Sequence, residues 1–499
     1  MITLLLMTLV MTFSGPLATV EGTVDPATPR PAREADYYQA VNIPVPSGIV
    51  LEVGGLAVGP GTGEVYASTR RGDIWKIEDA YGQSPRFTLF SDGLQEPLGL
   101  LWKDEWLHCV QRGELSRLRD EDGDGRADLL ETLCDDWTIS GNYHEYAFGP
   151  RLDKDGNFWL TLNRPFGDEP FGKMHWRGWA MRIGDDGKMV PMAGGLRSPA
   201  GLEVAPWGDV FYTDNQGEWC GTNKLCHIEE GDYFGHTWGV ESAKLPESRM
   251  KYPGKTPDGL TYVEAKKKIP DLKLPAIWFP YNKMGKSAAG MLWDTTGGDF
   301  GPFHDQLFVA DQHHASVMRV DLEQVDGVWQ GAAMRFREGL SCGALRLAWG
   351  DDNVMLIGQT SRGWGSVGKK SEGLEYLRWT GKMPCEVLTC RSTSDGYKIT
   401  FTMPMERSTL EDVSSYSTEN YTYKLHSPYG SPEVDRAQVT VDSAVASADG
   451  KSVTLKLAGP GTMRIGYVTE MILAGVRSAE GEKLLHPEVY ATLNRKPGE

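Results

Sequence analysis

Positive charge is scarce for a chain of this size. The 499 residues carry 51 Lys plus Arg against 68 Asp plus Glu, a net charge of −17. A surface that tracks phosphates needs clustered cations, so this balance excludes a general nucleic-acid binder. Long apolar runs are missing as well. After residue 13 no stretch approaches the ~18 apolar residues that a membrane-spanning helix requires. Cysteine is sparse and odd in number, seven in all, and the C-x-x-C-H spacing of a c-type haem site is absent. What is plentiful is turn-formers and aromatics, with 59 Gly, 16 Trp and 19 Tyr. That composition is too apolar for a disordered chain and too glycine-interrupted for a helical bundle.

Residues 3–13 read TLLLMTLVMTF and are followed by Ser14, Gly15, Pro16 and Ala18. This run suits a signal-peptide core and is too short to span a membrane. The expectation is therefore an exported chain, periplasmic or extracellular, with residues 1–22 removed and no membrane span afterwards. In that compartment cysteines tend to pair, and the odd count leaves at least one free. Cys220 and Cys226 are close enough in sequence to close a loop. Cys385 and Cys390 stand roughly 16 Å apart on a strand, beyond bridging distance.

One pattern recurs six times: an apolar start with Gly, a short strand, a Gly/Asp/Asn turn, then an aromatic-rich strand. It appears as GGLAVGPGTGEVYAST from Gly54, PLGLLWKDEWLHCV from Pro97 and EYAFGPRLDKDGNFWLTL from Glu145. It returns as PAGLEVAPWGDVFYTD from Pro199, AGMLWDTTGGDFGPFHDQLFVAD from Ala289 and GALRLAWGDDNVMLIG from Gly343. Small sheets repeating every 40 to 50 residues, roughly, are the mark of a β-propeller, because one such sheet buries its faces only against its neighbours. The sequence predicts an all-β chain: a linker over 23–45, a six-bladed propeller over 46–380 and a small Ig-like β-sandwich over 384–497. The sandwich follows from alternating segments such as YKITFTMP and AQVTVDSAVASADGKSVTLKLAG. The longest interval between repeats holds residues 244–284, rich in Lys and Pro, and reads as an excursion that builds the rim of a site.

Two places carry chemistry. The segment DEDGDGRADLLE sets Asp120, Asp122, Asp124, Asp128 and Glu131 at loop positions one, three, five, nine and twelve. Gly125 is at six, and Arg126 offers its carbonyl at seven. A hard cation such as Ca²⁺ needs six to eight oxygens, and this spacing wraps them around one point. The second place is His144, just ahead of a repeat strand, where a propeller presents loop residues to its central channel. His313 and His314 are adjacent and face opposite sides of a strand, so no metal is assigned to them.

Around His144 the sequence resembles the glucose/sorbosone dehydrogenase family of quinoproteins. The matching stretches are NYHEYAFGPRLDKDGNFWLTL, then Gly195-Leu196-Arg197-Ser198-Pro199-Ala200-Gly201-Leu202, Asp214-Asn215-Gln216-Gly217 and Gly231-Asp232-Tyr233-Phe234-Gly235-His236. The whole mature chain is also similar to exported bacterial dehydrogenase-like propellers, often fused to a c-type cytochrome domain. Its matching stretches are LWDTTGGDFGPF, FREGLSCGALRLAWG, IGQTSRGWGSVG and YTYKLHSPYGSPEVD. The resemblance implies a sugar or alcohol substrate, pyrroloquinoline quinone and Ca²⁺ as cofactors, and an external electron acceptor such as a cytochrome c. It implies His144 as general base and Arg197 as the quinone contact, with Asn215 and Gln216 beside the family's Ca²⁺ element. Two positions depart from the family pattern: Ser198 replaces an asparagine, and Asn163 with Arg164 replaces the acid that would orient the histidine. Arg164 favours an anionic ligand or cofactor. Gln359, Arg362 and Trp364, in QTSRGWGS, supply stacking and bidentate contacts to a planar or sugar ligand. The other readings are a noncatalytic binding module for polysaccharide or a protein partner, and a Ca²⁺-dependent lactonase. The last would require carboxylates converging in the channel.

Overall fold

The computed structural model describes residues 32–167 and 174–498. The expected signal peptide lies outside the described residues. The chain is an all-β propeller. Four sheets are built in sequence order: Val53–Val58 to Arg86–Ser91, Leu100–Lys103 to Leu129–Cys134, Ala147–Leu152 to Met189–Gly194, and Gly201–Val204 to Ile277–Phe279. A further sheet joins Ala344–Trp349, Met355–Thr360 and Glu372–Trp379 to Tyr38–Asn42 from the start of the described chain. The segment expected as linker thus supplies an outer strand, and Tyr38 pairs with Trp379 at its end. A ring closed this way ties the two ends of the repeat region together.

The glycine in each repeat has a packing reason. A Cβ on Gly99 would fall on the Gly149 carbonyl oxygen, and one on Gly201 would fall on that of Ala289. These are the points where the innermost strand of one sheet meets the next, so only a residue without a side chain fits. Gly99→Ala is expected to cost about 1–3 kcal/mol by overpacking. A lowered urea midpoint would show it, with Gly113→Ala, where only the Ile139 side chain lies nearby, left unchanged.

The six repeats give five separate four-stranded sheets rather than six. The strands Ala288–Trp293, Leu307–Asp311, Ser316–Val325 and Val328–Arg337 belong to an 11-stranded sheet that runs on into the C-terminal segment. The physical reason is an edge. Val328–Arg337 would expose unpaired backbone, and Gly331–Ala333 pair with Tyr490–Thr492 instead. Where the sequence predicts a free-standing sandwich, the C-terminal strands are therefore continuous with the ring. Their own core gathers Val387, Ile399, Phe401, Leu455 and Met471. Val434–Ala446 bridges its two parts, pairing with Ser417–Thr422 in one half and Ser452–Ala458 in the other.

The excursion over 244–284 also differs from expectation. It carries the helix Tyr262–Lys268, started by a capping box between Thr261 and Glu264. Leu260–Thr261 pairs with Lys424–Leu425, and Tyr262 and Tyr423 both pack on the buried Trp278. The excursion docks the C-terminal segment rather than lining a site. All seven cysteines are free and buried, so no pairing of Cys220 with Cys226 forms. Among the described residues no helix is long and apolar enough to cross a membrane.

Candidate functional site

A cavity of about 190 Å³ opens where the sheets converge, and His144 lies in its wall. The imidazole is buried and stacks on Phe166, with ring centres 3.6 Å apart at 15°. Its Nδ1 lies 2.6 Å from the Arg164 carbonyl oxygen, which can only accept, so Nδ1 carries the proton and donates it there. That leaves the Nε2 lone pair to accept from the Ser198 hydroxyl at 3.2 Å. Burial, and then the neighbouring Arg197, hold the imidazole pKa well below its usual value. The orienting acceptor, absent as a side chain from the sequence pattern, is a backbone carbonyl.

Asp214 fixes the loop opposite. Its carboxylate accepts from the backbone N–H of Ser198 at 2.7 Å, of Asn215 at 3.0 Å and of Arg197 at 3.1 Å. Glu218 binds two guanidiniums, accepting from Arg164 at 2.6 Å and from Arg197 at 3.2 Å. These two cations flank the Phe166 ring at 4.9 and 5.5 Å. Burial lowers the Arg164 pKa, and Glu218 opposes that shift. Two buried carbonyl oxygens here, Asn163 Oδ1 and Asn215 Oδ1, have no hydrogen-bond partner.

Electrostatically the cavity is one-sided. Arg70, Arg197, Lys286 and Arg362 line it, and no Asp or Glu among the described residues does. Beneath its apolar floor of Phe148, Ala200 and Leu345 sits the buried Arg346. That guanidinium donates to the carbonyls of Leu98 and Ala200, both at 2.9 Å, from two other sheets. Burial lowers its pKa to about 9, which leaves it charged at neutral pH. Three of these cations are paired, Arg70 with Glu96, Arg197 with Glu218 and Arg362 with Glu52, whereas Lys286 has no carboxylate partner among the described residues.

Of the residues expected from the sequence, His144, Arg197, Asn215, Gln216, Arg362 and Trp364 line this cavity. Arg164 stands behind Phe166 and acts through its carbonyl and its pairing with Glu218. Gln359 does not reach the cavity: it is fully buried in its strand, donating to Glu375 at 2.6 Å and accepting from Ser341 at 2.9 Å. His236 is buried beside Gly195 and lines nothing, its Nδ1 accepting from the Trp238 N–H. In the acidic loop, Asp120, Asp122 and Asp124 bring their carboxylates within 4.8 Å of one another. Asp128 instead accepts from the backbone N–H of Glu121 and Asp122. Glu131 is drawn away to Arg117, 2.7 Å distant on the neighbouring strand, because position twelve falls in the strand Leu129–Cys134. This loop is on the outermost hairpin of its sheet, apart from the cavity.

Sequence reasoning missed Arg70, Tyr143, Lys286, Gln312 and Tyr429. A signal for two of them was present. In four of the six repeats the residue just after the second strand, Arg70, Asn163, Asn215 or Gln312, lies at the cavity or its His144 wall, while the equivalent Gln111 and Ser361 do not line it. Gln312 then clamps the last loop, donating to the carbonyls of Thr360, Arg362 and Trp364. Tyr429 had no such register, because it comes from the C-terminal segment.

A family profile described as a domain of unknown function, DUF7133, matches residues 62–249. No curated protein matches the chain. Among solved structures, the chain is similar to a putative oxidoreductase (glucose dehydrogenase) of Thermus thermophilus, at 17% identity over 68% of this chain and 99% of that one, with a TM-score of 0.49. It is similar to the PQQ-bound aldose sugar dehydrogenase of Streptomyces coelicolor at 14% identity, over 68% and 98%, with a TM-score of 0.49. The holo PQQ domain of a Coprinopsis cinerea pyranose dehydrogenase is matched at 11% identity, over 71% and 99%, with a TM-score of 0.49.

Proposed function

We propose that the cavity is the active site of an exported oxidoreductase that oxidises a sugar or other alcohol with a quinone cofactor. The observation that carries this is the neutral His144, its tautomer fixed by the Arg164 carbonyl and its Nε2 presented at a cation-lined wall. The donor set suits pyrroloquinoline quinone, a planar polycarboxylate. The buried Arg197, bonded to Glu218 through Nε, would hold a carboxylate with its other N–H groups, and the orphaned Asn215 Oδ1 supplies an acceptor. When bound, the quinone supplies the acceptor for the hydride leaving the carbinol carbon. His144 takes the hydroxyl proton on Nε2, and Ser198 and Asn163 hold that edge in place. Electrons then leave to an external carrier such as a cytochrome c.

In the same reading, residues 384–497 are an accessory sandwich. The lactonase reading lacks its carboxylates, since none among the described residues lines the cavity. For the same reason Ca²⁺ is assigned to the outer loop, where the three convergent aspartates fit a hard cation. Calorimetry with Ca²⁺ is expected to show one site in the wild type and none in Asp122→Asn/Asp124→Asn.

The test of the enzyme is dye reduction by the purified chain with added quinone and Ca²⁺ over aldoses, sorbosone and simple alcohols. Turnover above the quinone-free control supports the reading. Bound quinone without turnover on any of them moves the chain to the noncatalytic binding class.

A further inference from the structure

Five aromatic side chains are strongly exposed among the described residues, and three of them ring this one cavity: Tyr143 at 60%, Trp364 at 43% and Tyr429 at 52%. The other two, Trp207 beside Trp329 and Tyr252 beneath Lys244, do not line the cavity. The rim aromatics come from three separate parts of the chain, and Tyr429 comes from the C-terminal segment. That loop is fastened to the ring by backbone bonds. The Trp219 N–H donates to the His426 carbonyl at 2.8 Å, and the Gly430 N–H to that of Gly217 at 3.0 Å. Tyr429 then lies 5.2 Å from the Arg197 guanidinium.

The cations divide between floor and rim. Arg70 and Arg197 are buried, and each is already paired, with Glu96 and Glu218 respectively. Arg362 pairs with Glu52 at 2.9 Å. Lys286 differs from them, since it lines the cavity, is only half-buried, and faces the Tyr281 ring at 5.7 Å with no carboxylate partner among the described residues. An exposed aromatic face wants the apolar face of a saccharide ring, and an unpaired ammonium beside it wants a carboxylate.

We propose that the rim selects a uronic acid, free or at the end of a chain, with its ring against Tyr429, Trp364 and Tyr143 and its carboxylate on Lys286. The C-terminal segment is then part of the binding site, through Tyr429. This rests on the proposed function only in taking the cavity as the substrate site.

Calorimetric titration of the quinone-free protein with D-galacturonate, trigalacturonate and D-galactose tests it. The acids are expected to bind at least tenfold tighter than the neutral sugar, and trigalacturonate tighter than the monomer if chain ends are the natural ligand. Lys286→Gln should erase the preference for acids. Tyr429→Ala should weaken acid and neutral sugar alike by about tenfold, and Tyr429→Phe should restore both. Equal affinity for acid and neutral sugar, or an undiminished preference in Lys286→Gln with an unchanged melting temperature, overturns the proposal. A chain that binds uronates but reduces no dye loses the oxidoreductase reading and keeps this one. A chain that oxidises neutral sugars without preference loses only this one.

Discussion

His144→Ala is expected to lower quinone-dependent turnover by about 10²–10⁴-fold, the range for removing a positioned general base. Quinone binding should persist, while the melting temperature should fall by several degrees, because the buried ring leaves a void beside Phe166 and removes one carbonyl bond and one hydroxyl bond. The wild-type pH profile carries the same information. A base must be unprotonated to work, and burial with Arg197 nearby depresses the pKa of this one. The rate should therefore stay flat from pH 6.5 upward on the side of the base and fall only in acid, well below 6.5. A midpoint at or above 6.5 in kcat/KM would show that a different group accepts the proton.

His486→Leu is expected to destabilise the chain by about 3–5 kcal/mol near pH 6, the cost of removing one partner from a buried ion pair. His486 is buried between Glu386, 2.6 Å away, and Glu34, 2.8 Å away. Burial alone would lower its pKa, but Glu386 and Glu34 override burial and raise it to about 10. Glu34 titrates the other way. Burial raises it, yet His486, the Glu338 N–H and Arg337 bring it below its usual value. The His486 contribution is complete below pH 6.5 and lost as pH rises through about 10, while that of Glu34 is lost as pH falls below about 4.5. This trio ties the turn at Glu34–Asp36 to the C-terminal segment, which docks on the same ring. Urea midpoints at pH 6 and pH 9.5 should differ in the wild type and converge in the variant. Identical pH dependence in both would remove His486 as the source.

The ring was legible because its cause is local and repeated. Each repeat needs glycine where inner strands meet, as at Gly99 and Gly201, and each alternates turn and strand residues at a short period. The His144 wall was legible for a similar reason, since Arg197, Ser198 and Asp214 are close in sequence and are joined by short-range bonds. What sequence could not carry was set by distant chain. Tyr429 reaches the cavity because Leu260–Thr261 pairs with Lys424–Leu425 and because Trp219 and Gly217 bond to His426 and Gly430, contacts between segments with no shared periodicity. The separate blade over 288–337 was lost to an edge pairing with Glu488–Leu493, again remote. Gln359 was misplaced because it lies inside the strand Met355–Thr360, buried against Glu375, whereas Arg362 and Trp364 follow in the loop that reaches the cavity. Glu131 failed by length, because its strand begins at Leu129 before loop position twelve is reached.

The proposed function requires that the cavity around the neutral His144 bind a quinone. The most direct measurement is an absorbance titration of the purified chain with pyrroloquinoline quinone, set beside Arg197→Glu. Saturable one-to-one binding is expected in the wild type, weakening at high salt and lost in Arg197→Glu, while His144→Ala still binds. Failure of the wild type to bind, or equal binding by Arg197→Glu with the fold intact, contradicts the proposed function.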